Sequence, residues 1–432
     1  MNCNLFIYED YHHKLFSPLT LTRPSPYLLA GAHSFLDRIK SNFTECFITI
    51  LCREEFKELV EYWSKHRINE LTFDPNLPIL IINGLAVYTP ELMKIVEATE
   101  SNTLFVHNES PVALLLQDTS STDWQDLFKE IPLTEEAEKE MFRLYPTQEV
   151  DTYIPHSIWD IVSANGEIIE TDFTEPQMAG EIDERAVIYG KENVRIEEGV
   201  KVDSFAVIDA RGGPVTIDKG VYIQSHSVII GPAYIGPNTR IQGAKIREGC
   251  SFGPTCRIGG EIENSIFMGY SNKYHDGFVG HSYIGSWVNL GALTTTSDLK
   301  NNYRPIRVQM GSDSTIKTNL VKLGSFIGDH AKLGIGTLLN AGSCIGPSTN
   351  FYGGGLAPKY IPPFVWGSLE SFQEYELEKA LETARMVNTR RGRELPFAEE
   401  SILRKIFDDF MDEREKFIGD EEESTAEEEL TL

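Results

Sequence analysis

The stretch VYIQSHSVIIGPAYIGPNTRIQGAKI, residues 221–246, decides the fold. Within it Ile223, Ile229, Ile235 and Ile241 stand six residues apart. The aliphatic column runs back through Ile217, Ile208, Val202 and Ile196, and on through Ile246, Phe252 and Ile258. The step stays at six except for three extra residues at Gly212–Pro214 and one missing before Ile246. The column resumes at Ile284 and Leu290, and again at Ile327, Leu333, Leu339 and Ile345. Two positions earlier runs a column of small side chains: Ala206, Ser227, Ala233, Thr239, Ala244, Cys250, Cys256, Ser325, Ala331, Thr337 and Ser343. One aliphatic and one small inward position per six residues is the pattern of a parallel β-helix, in which each short strand and turn forms one side of a coil. Stacking the coils buries the aliphatic column as a ladder. The expected solenoid spans residues 183–350, with Cys250 and Cys256 as packing residues.

Upstream the pattern differs. Across residues 1–150, strand-like runs at Leu5 to Tyr8, Phe47 to Leu51, Ile79 to Ile82, Leu104 to Val106 and Val112 to Leu116 alternate with helix-like stretches at Glu54 to Trp63 and Pro90 to Glu97. That alternation predicts a parallel sheet covered by helices. Residues 151–182 read as a connector. After the repeat, Ser371 and Glu374 have the spacing of a capping box opening a helix. Apolar stripes at Leu377, Ala380, Leu381, Ala384 and Val387, then at Leu403, Ile406, Phe407, Phe410 and Met411, predict a helical cap over 351–418. Residues 419–432 are an acidic run and read as a disordered tail.

Charge narrows the function. Lys+Arg 39 against Asp+Glu 65 leaves a net −26, which phosphate backbones and anionic lipid would repel. Neither a nucleic-acid nor a membrane role is expected. No apolar run is long enough to span a bilayer, and the N-terminus has no signal-peptide pattern, so the expected compartment is the cytoplasm. The six cysteines show no CxxC pairing and are expected as free thiols.

The hexapeptide phase is lost at about 259–282 and 297–324. Around these stretches gather Asn272, Lys273, His275, Asp276, His281, Asn289, Asp298, Lys300 and Tyr303. A histidine can take a proton from an attacking amine or hydroxyl, and lysine and asparagine can hold phosphate and sugar hydroxyls.

At these residues the sequence resembles the bifunctional N-acetylglucosamine-1-phosphate uridyltransferase/glucosamine-1-phosphate acetyltransferase family, in its divergent branch of sugar nucleotidyltransferases. The family's Lys-x-Gly-His segment with a following aromatic resembles Asn272, Lys273, Tyr274, His275 and Phe278, and its Val-Asn-x-Gly-Ala-Gly-Thr run resembles Val288 to Thr294. The resemblance implies a nucleotidyltransferase-like (Rossmann-like) α/β domain, then a left-handed β-helix forming a homotrimer. It implies His275 as the catalytic base, Lys273, Phe278, Asn289, Asp298 and Lys300 as sugar-phosphate contacts, and acetyl-CoA held near Ala292. In departure from the family, its lysine falls at Asn272, its tyrosine at Phe278 and its Asn-Tyr pair at Asp298 and Leu299.

Pro18 to Pro24 with Leu28 resembles the Pro-Leu-Thr-x-x-x-Pro stretch of sugar-phosphate nucleotidyltransferases. The glycine-rich loop normally preceding it is here Glu9 to Lys14, without a glycine, and the Mg²⁺-binding aspartate falls at Asn83 or Gly84. Lys14 and Arg23 are the expected nucleotide contacts, with Arg38 a further basic residue nearby. Mg²⁺ is kept as an option for this half. Weak nucleotidyl transfer is expected, with Glu9 and Asp10 repelling a triphosphate.

Two other classes compete. A γ-carbonic-anhydrase-like metal trimer would draw ligands from His226, His275, His281 and His330. A noncatalytic sugar-nucleotide-binding scaffold would keep the shape without the chemistry.

Overall fold

The structure is a computed structural model that describes residues 2–120 and 123–419. The expected acidic tail lies almost wholly outside them. The chain divides into two compact units: Met1–Phe16, Arg23–Leu28 and His33–Ser157 in the first, and Ser17–Thr22, Leu29–Ala32 and Ile158–Leu432 in the second.

The first unit is built on a seven-stranded sheet. Its strands are β1 (Asn4–Tyr8), β2 (Phe47–Leu51), β3 (Arg67–Ile68), β4 (Ile79–Asn83), β5 (Thr103–His107), β6 (Ser110–Leu116) and β7 (Thr147–Glu149). Their order is β3-β2-β1-β4-β6-β5-β7. β1 pairs in parallel with β2 and β4, and all its residues are buried, as a strand covered on both faces requires. The sheet is mixed where a parallel one was expected, because β6 runs antiparallel to both β4 and β5. The reason is local: Asn108 and Glu109 link β5 directly to β6 with φ of 47° and 65°, the left-handed pair of a tight hairpin. Helix Pro90–Ala98 follows its signals, with Pro90 in the first turn and the Thr89 hydroxyl accepting from Leu92 N.

In the second unit, helix Ile158–Asp172 falls within the segment read as a connector. Then come the coils of a left-handed parallel β-helix, with three sides per turn. One side is a ten-stranded sheet from Gln177–Met178 to Tyr360–Ile361, and a second has eleven strands from Glu181–Ile182 to Ser371–Glu374. The third starts as six strands from Val187–Tyr189 to Phe278–Gly280. It resumes with Thr295–Thr296, Thr337–Leu339 and Gly355–Leu356. The sheets therefore extend beyond the expected 183 and 350 at both ends. Ile223, Ile229, Ile235 and Ile241 are fully buried in one continuous core. Each such side chain contributes about 1.5–3 kcal/mol of burial. Cys250, Cys256 and the other small-column residues are buried beside them, and the described cysteines are free thiols.

Of the two stretches read as interruptions, the first is no interruption. Glu261–Glu263, Ile266–Phe267, Asn272–Lys273 and Phe278–Gly280 are ordinary rungs with Ile262, Phe267, Lys273 and Val279 inward. Unequal corner lengths and a lysine in an aliphatic position hide the period. The second is a true excursion, carrying an antiparallel pair, Arg307–Gln309 with Thr315–Lys317.

The expected capping box is also corrected. Ser371–Glu374 is a strand antiparallel to Val365–Ser368, and the helix starts at Leu377 after Glu376. Phe372 packs against Phe351 and Phe417, ring centroids 6.1 and 5.1 Å away, so covering the core outweighs a local capping signal. Helices Leu377–Thr389 and Phe397–Asp409 and helical residues 411–419 follow. Met411 is exposed and does not belong to the buried stripe. No helix among the described residues is long and apolar enough to cross a membrane.

Candidate functional site

On the second side of the solenoid the strands stack Arg240 on Arg257, Arg257 on Asn272, Asn272 on Asn289 and Asn289 on Lys332. In a strand alternate residues point outward. Each of these side chains therefore faces out while its neighbour, Ile241, Ile258, Lys273, Leu290 or Leu333, faces in. The Asn272 amide donates to Asn289 Oδ1 at 3.4 Å and accepts from Arg391 Nη2 at 2.8 Å. Arg391 follows helix Leu377–Thr389.

Lys273 is the first correction within the site. It pairs with Ile258 in the inward column and is 0% exposed, so it is not available as a sugar-phosphate contact. Its ammonium donates from inside to the carbonyls of His275 and Asp276. Burial pushes its pKa down to about 8, against a weaker opposite pull from Asp276. Gly277, at φ +127°, makes room for that head: a Cβ there would lie 3.1 Å from Lys273 Nζ and 2.2 Å from the Thr294 carbonyl.

The corner so pinned carries His275, which is exposed, its ring edge-on to Tyr274 at 5.2 Å. Strand Phe278–Gly280 leaves that corner, and His281 follows its last residue. There His281 Nδ1 meets Asp298 Oδ2 at 2.8 Å, both side chains mostly shielded. The Phe278 ring and the Asp298 carboxylate converge over Gly280, where a Cβ would lie 2.5 Å from Phe278 Cζ and 2.6 Å from Asp298 Oδ2. Asp298 is therefore engaged by His281 rather than presented freely to a sugar. Lys300 lies on the excursion and donates to the Pro305 carbonyl at 3.2 Å. Ala292 is half-buried, its carbonyl accepting from Gly336 N at 2.8 Å.

The structure thus gathers Asn289 with Asn272 and Arg391, and Phe278 with Asp298 and His281. Sequence reasoning missed Arg240, Arg257 and Arg391. The first two were legible, since each immediately precedes a column isoleucine. Arg391 reaches the site through the C-terminal helices and gives no local signal.

The histidines of the metal reading have other neighbours. His226 stacks on Phe205, His330 on Trp287, His275 meets Tyr274 and His281 meets Asp298. Among the described residues no three metal-ligating side chains cluster to hold an ion.

In the first unit Glu9 is corrected as a source of repulsion. Its carboxylate is 0% exposed and accepts from Arg53 Nε at 3.0 Å, Arg53 Nη2 at 3.1 Å and Ser25 N at 2.8 Å. Asp10 accepts from His12 N and Asn83 Nδ2, each at 3.0 Å, while Asn83 Oδ1 accepts from Leu85 N. The Mg²⁺ position implied by the resemblance therefore offers an amide and an occupied carboxylate. That donor set does not fit a Mg²⁺ site. Lys14 is exposed and lines a cavity of about 360 Å³ with Tyr11, His13, Thr134 and Glu135. Arg23 does not line it and is buried, as is Arg38. Burial, reinforced by Asp10, raises the Glu138 carboxyl to about 7.

Residues 5–177 match the model of the sugar nucleotidyl transferase family. The chain is 35% identical over 192 residues to the bifunctional protein GlmU of Methanococcus vannielii, covering 44% of this chain and 40% of that protein. It is 30% identical over 176 residues to the bifunctional sugar-1-phosphate nucleotidylyltransferase/acetyltransferase of Sulfurisphaera tokodaii, covering 40% and 42%. Against the uncharacterized acetyltransferase YaiX of Escherichia coli O6:K15:H31 it is 29% identical over 168 residues, covering 38% and 70%. The chain spans less than half the length of the bifunctional relatives it matches.

Proposed function

We propose that the solenoid transfers an acetyl group from acetyl-CoA to the amine of an amino-sugar 1-phosphate. The amine nitrogen attacks the thioester carbonyl carbon, the C–N bond forms, the C–S bond breaks and coenzyme A leaves as the thiolate. His275 takes the proton lost by the nitrogen. The observation that carries this reading is the placement of His275. It stands exposed on a corner pinned from within by Lys273, on the coil that stacks against Asn289. The similarity to the bifunctional sugar-1-phosphate nucleotidylyltransferase/acetyltransferase of Sulfurisphaera tokodaii supports it. The first unit, with Lys14 at its cavity, binds the nucleotide or sugar phosphate and turns it over weakly, and no step is assigned to Mg²⁺. The assembly is proposed to be a cytoplasmic homotrimer.

The test offers acetyl-CoA with a panel of amino-sugar 1-phosphates to wild type and His275→Ala, with light scattering for the oligomer. Turnover should fall about 10²- to 10⁴-fold in the variant, the usual worth of a general base. Equal turnover would remove His275 from the chemistry.

A further inference from the structure

Several arginines of the second unit are neutralised by an acidic neighbour. Arg185, Arg195, Arg211 and Arg247 each lie against a carboxylate, of Asp183, Glu197, Asp209 and Glu263 respectively. Arg240, Arg257, Arg304, Arg307, Arg390, Arg391 and Arg393 have no carboxylate paired with them among the described residues, and of these Arg240, Arg257 and Arg391 gather at the Asn272 rung. Arg240 and Arg257 occupy adjacent rungs, about 4.8 Å apart along the sheet, where like charges disfavour each other. Arg257 donates only to backbone carbonyls, those of Asn238, Thr255 and Cys256. Arg391 reaches the next rung through Asn272. Arg257 and Arg391 are half-buried, and their pKa values are pushed down, by burial first and by the neighbouring guanidiniums second.

The loop that delivers Arg391 is fixed in place. Arg391 N and Arg393 N both donate to the Asn388 carbonyl, at 2.8 and 3.1 Å. Gly392 takes φ +69° to make the turn, and the Arg393 guanidinium lies 4.9 Å from the Tyr270 ring and 5.8 Å from Trp287. Those two rings stack at 4.3 Å on successive coil corners. Lys332, beyond Asn289, is not part of the group, because its ammonium donates to the Trp287 and His330 carbonyls.

In a chain of net charge −26, three guanidiniums gathered on adjacent rungs without a carboxylate indicate a counter-charge that the described residues do not supply. We infer that Arg240, Arg257 and Arg391 form an anion site for the phosphate group of a phosphorylated small molecule lying across the Asn272 and Asn289 rungs. Guanidinium forks suit phosphate oxygens, and Asn289 would hold a neighbouring hydroxyl. Under the proposed function, on which the choice of ligands rests, the phosphate comes from the acceptor sugar or from coenzyme A.

Titration calorimetry on the full chain tests the site with inorganic phosphate, glucosamine 1-phosphate, glucosamine, coenzyme A and 3′-dephospho-coenzyme A. Wild type should bind phosphate in a salt-sensitive way. Arg257→Ala and Arg391→Ala should each weaken the phosphorylated ligand by about 10- to 100-fold, the worth of one or two charge-assisted hydrogen bonds. Arg391→Lys should restore part of the loss, and Arg185→Ala should leave binding unchanged. A loss confined to glucosamine 1-phosphate assigns the site to the acceptor, and one confined to coenzyme A assigns it to the donor. Thermal melting identifies any variant that fails to fold, and Arg240→Gln, at an exposed position, then supplies the comparison. Unchanged phosphate binding in all three arginine variants would overturn the proposal. Absent acetyl transfer with arginine-dependent phosphate binding would instead sink the proposed reaction and leave the anion site standing.

Discussion

His281 Nδ1 lies 2.8 Å from Asp298 Oδ2, joining the corner that ends strand Phe278–Gly280 to the root of the excursion. Burial works to raise the Asp298 pKa, but the hydrogen bond and charge of His281, with Lys322 beyond, outweigh it and hold the carboxyl below its usual range. Lys322 also contacts Glu263, which Arg247 approaches from the other side. A depressed carboxylate stabilises the fold above its unfolded pKa of about 3.9 and loses that contribution as pH falls through its lower folded value. Asp298→Asn should therefore cost about 1–3 kcal/mol at neutral pH. The gap from wild type should close in acid. Urea unfolding at neutral pH and below pH ~4 reads it out; a gap independent of pH would mean that the carboxylate's charge plays no part.

The buried column offers a plainer trial. Ile235 is fully buried between rungs that cannot close without breaking the ladder. Ile235→Ala should destabilise the second unit by about 2–5 kcal/mol, transfer and cavity together. A loss under about 1 kcal/mol would show that the coil collapses around the gap.

The ladder was legible because one physical requirement, an apolar residue at every inward position, repeats through Ile223, Ile229, Ile235 and Ile241 with the same spacing. It ceased to be legible at Lys273, where the requirement is met differently: the aliphatic stem fills the column and the ammonium caps the carbonyls of His275 and Asp276. Seen as a sequence, that lysine looked like a ligand contact. Ser371 and Glu374 misled for a related reason, since the capping spacing is local and the contact of Phe372 with Phe351 is not. His275 and Asn289 were visible through their neighbours in sequence, whereas Arg391 meets Asn272 across 119 residues.

Lys273 itself gives a prediction with a definite sign. Its folded pKa, about 8, lies below the unfolded value of about 10.4. Between those values the unfolded chain binds more protons, so this residue makes stability rise with pH across that window. Lys273→Met should lose that rise while leaving the His275 and Asp276 carbonyls without their donor. Stability curves for wild type and variant between pH ~7.5 and ~10.5 should therefore diverge. Parallel curves would mean that the ammonium is not the buried group inferred here.

Glu9 and Arg53 form the corresponding test in the first unit. The carboxylate is wholly buried and the guanidinium nearly so. Glu9→Gln should cost about 3–5 kcal/mol because it strands a charge. Glu9→Gln with Arg53→Met should recover part of that loss. If the single variant folds as well as wild type, water reaches Arg53 in place of the carboxylate.

Nucleotidyl transfer by the first unit should be slow. The loop that would cradle phosphates is Glu9 to Lys14, and Glu9 is held by Arg53, so its carboxylate does not face a triphosphate as a free charge. The deficit lies in the groups that would hold a metal. The resemblance puts the metal-binding aspartate at Asn83 or Gly84, neither of them a carboxylate, and Asp10 is engaged by Asn83 and His12. Metal and cationic stabilisation together are worth several kcal/mol to phosphoryl transfer, so pyrophosphate release should run about two or more orders of magnitude below acetyl transfer. Lys14 stands at the cavity and Arg23 is buried away from it. Lys14→Ala should therefore weaken nucleotide binding without unfolding the unit, whereas Arg23→Ala should lower its melting temperature. Pyrophosphate release with UTP and N-acetylglucosamine 1-phosphate, measured beside melting curves for both variants, separates these effects. Fast release in wild type would mean that another carboxylate, such as Glu138, does the work denied to Asn83.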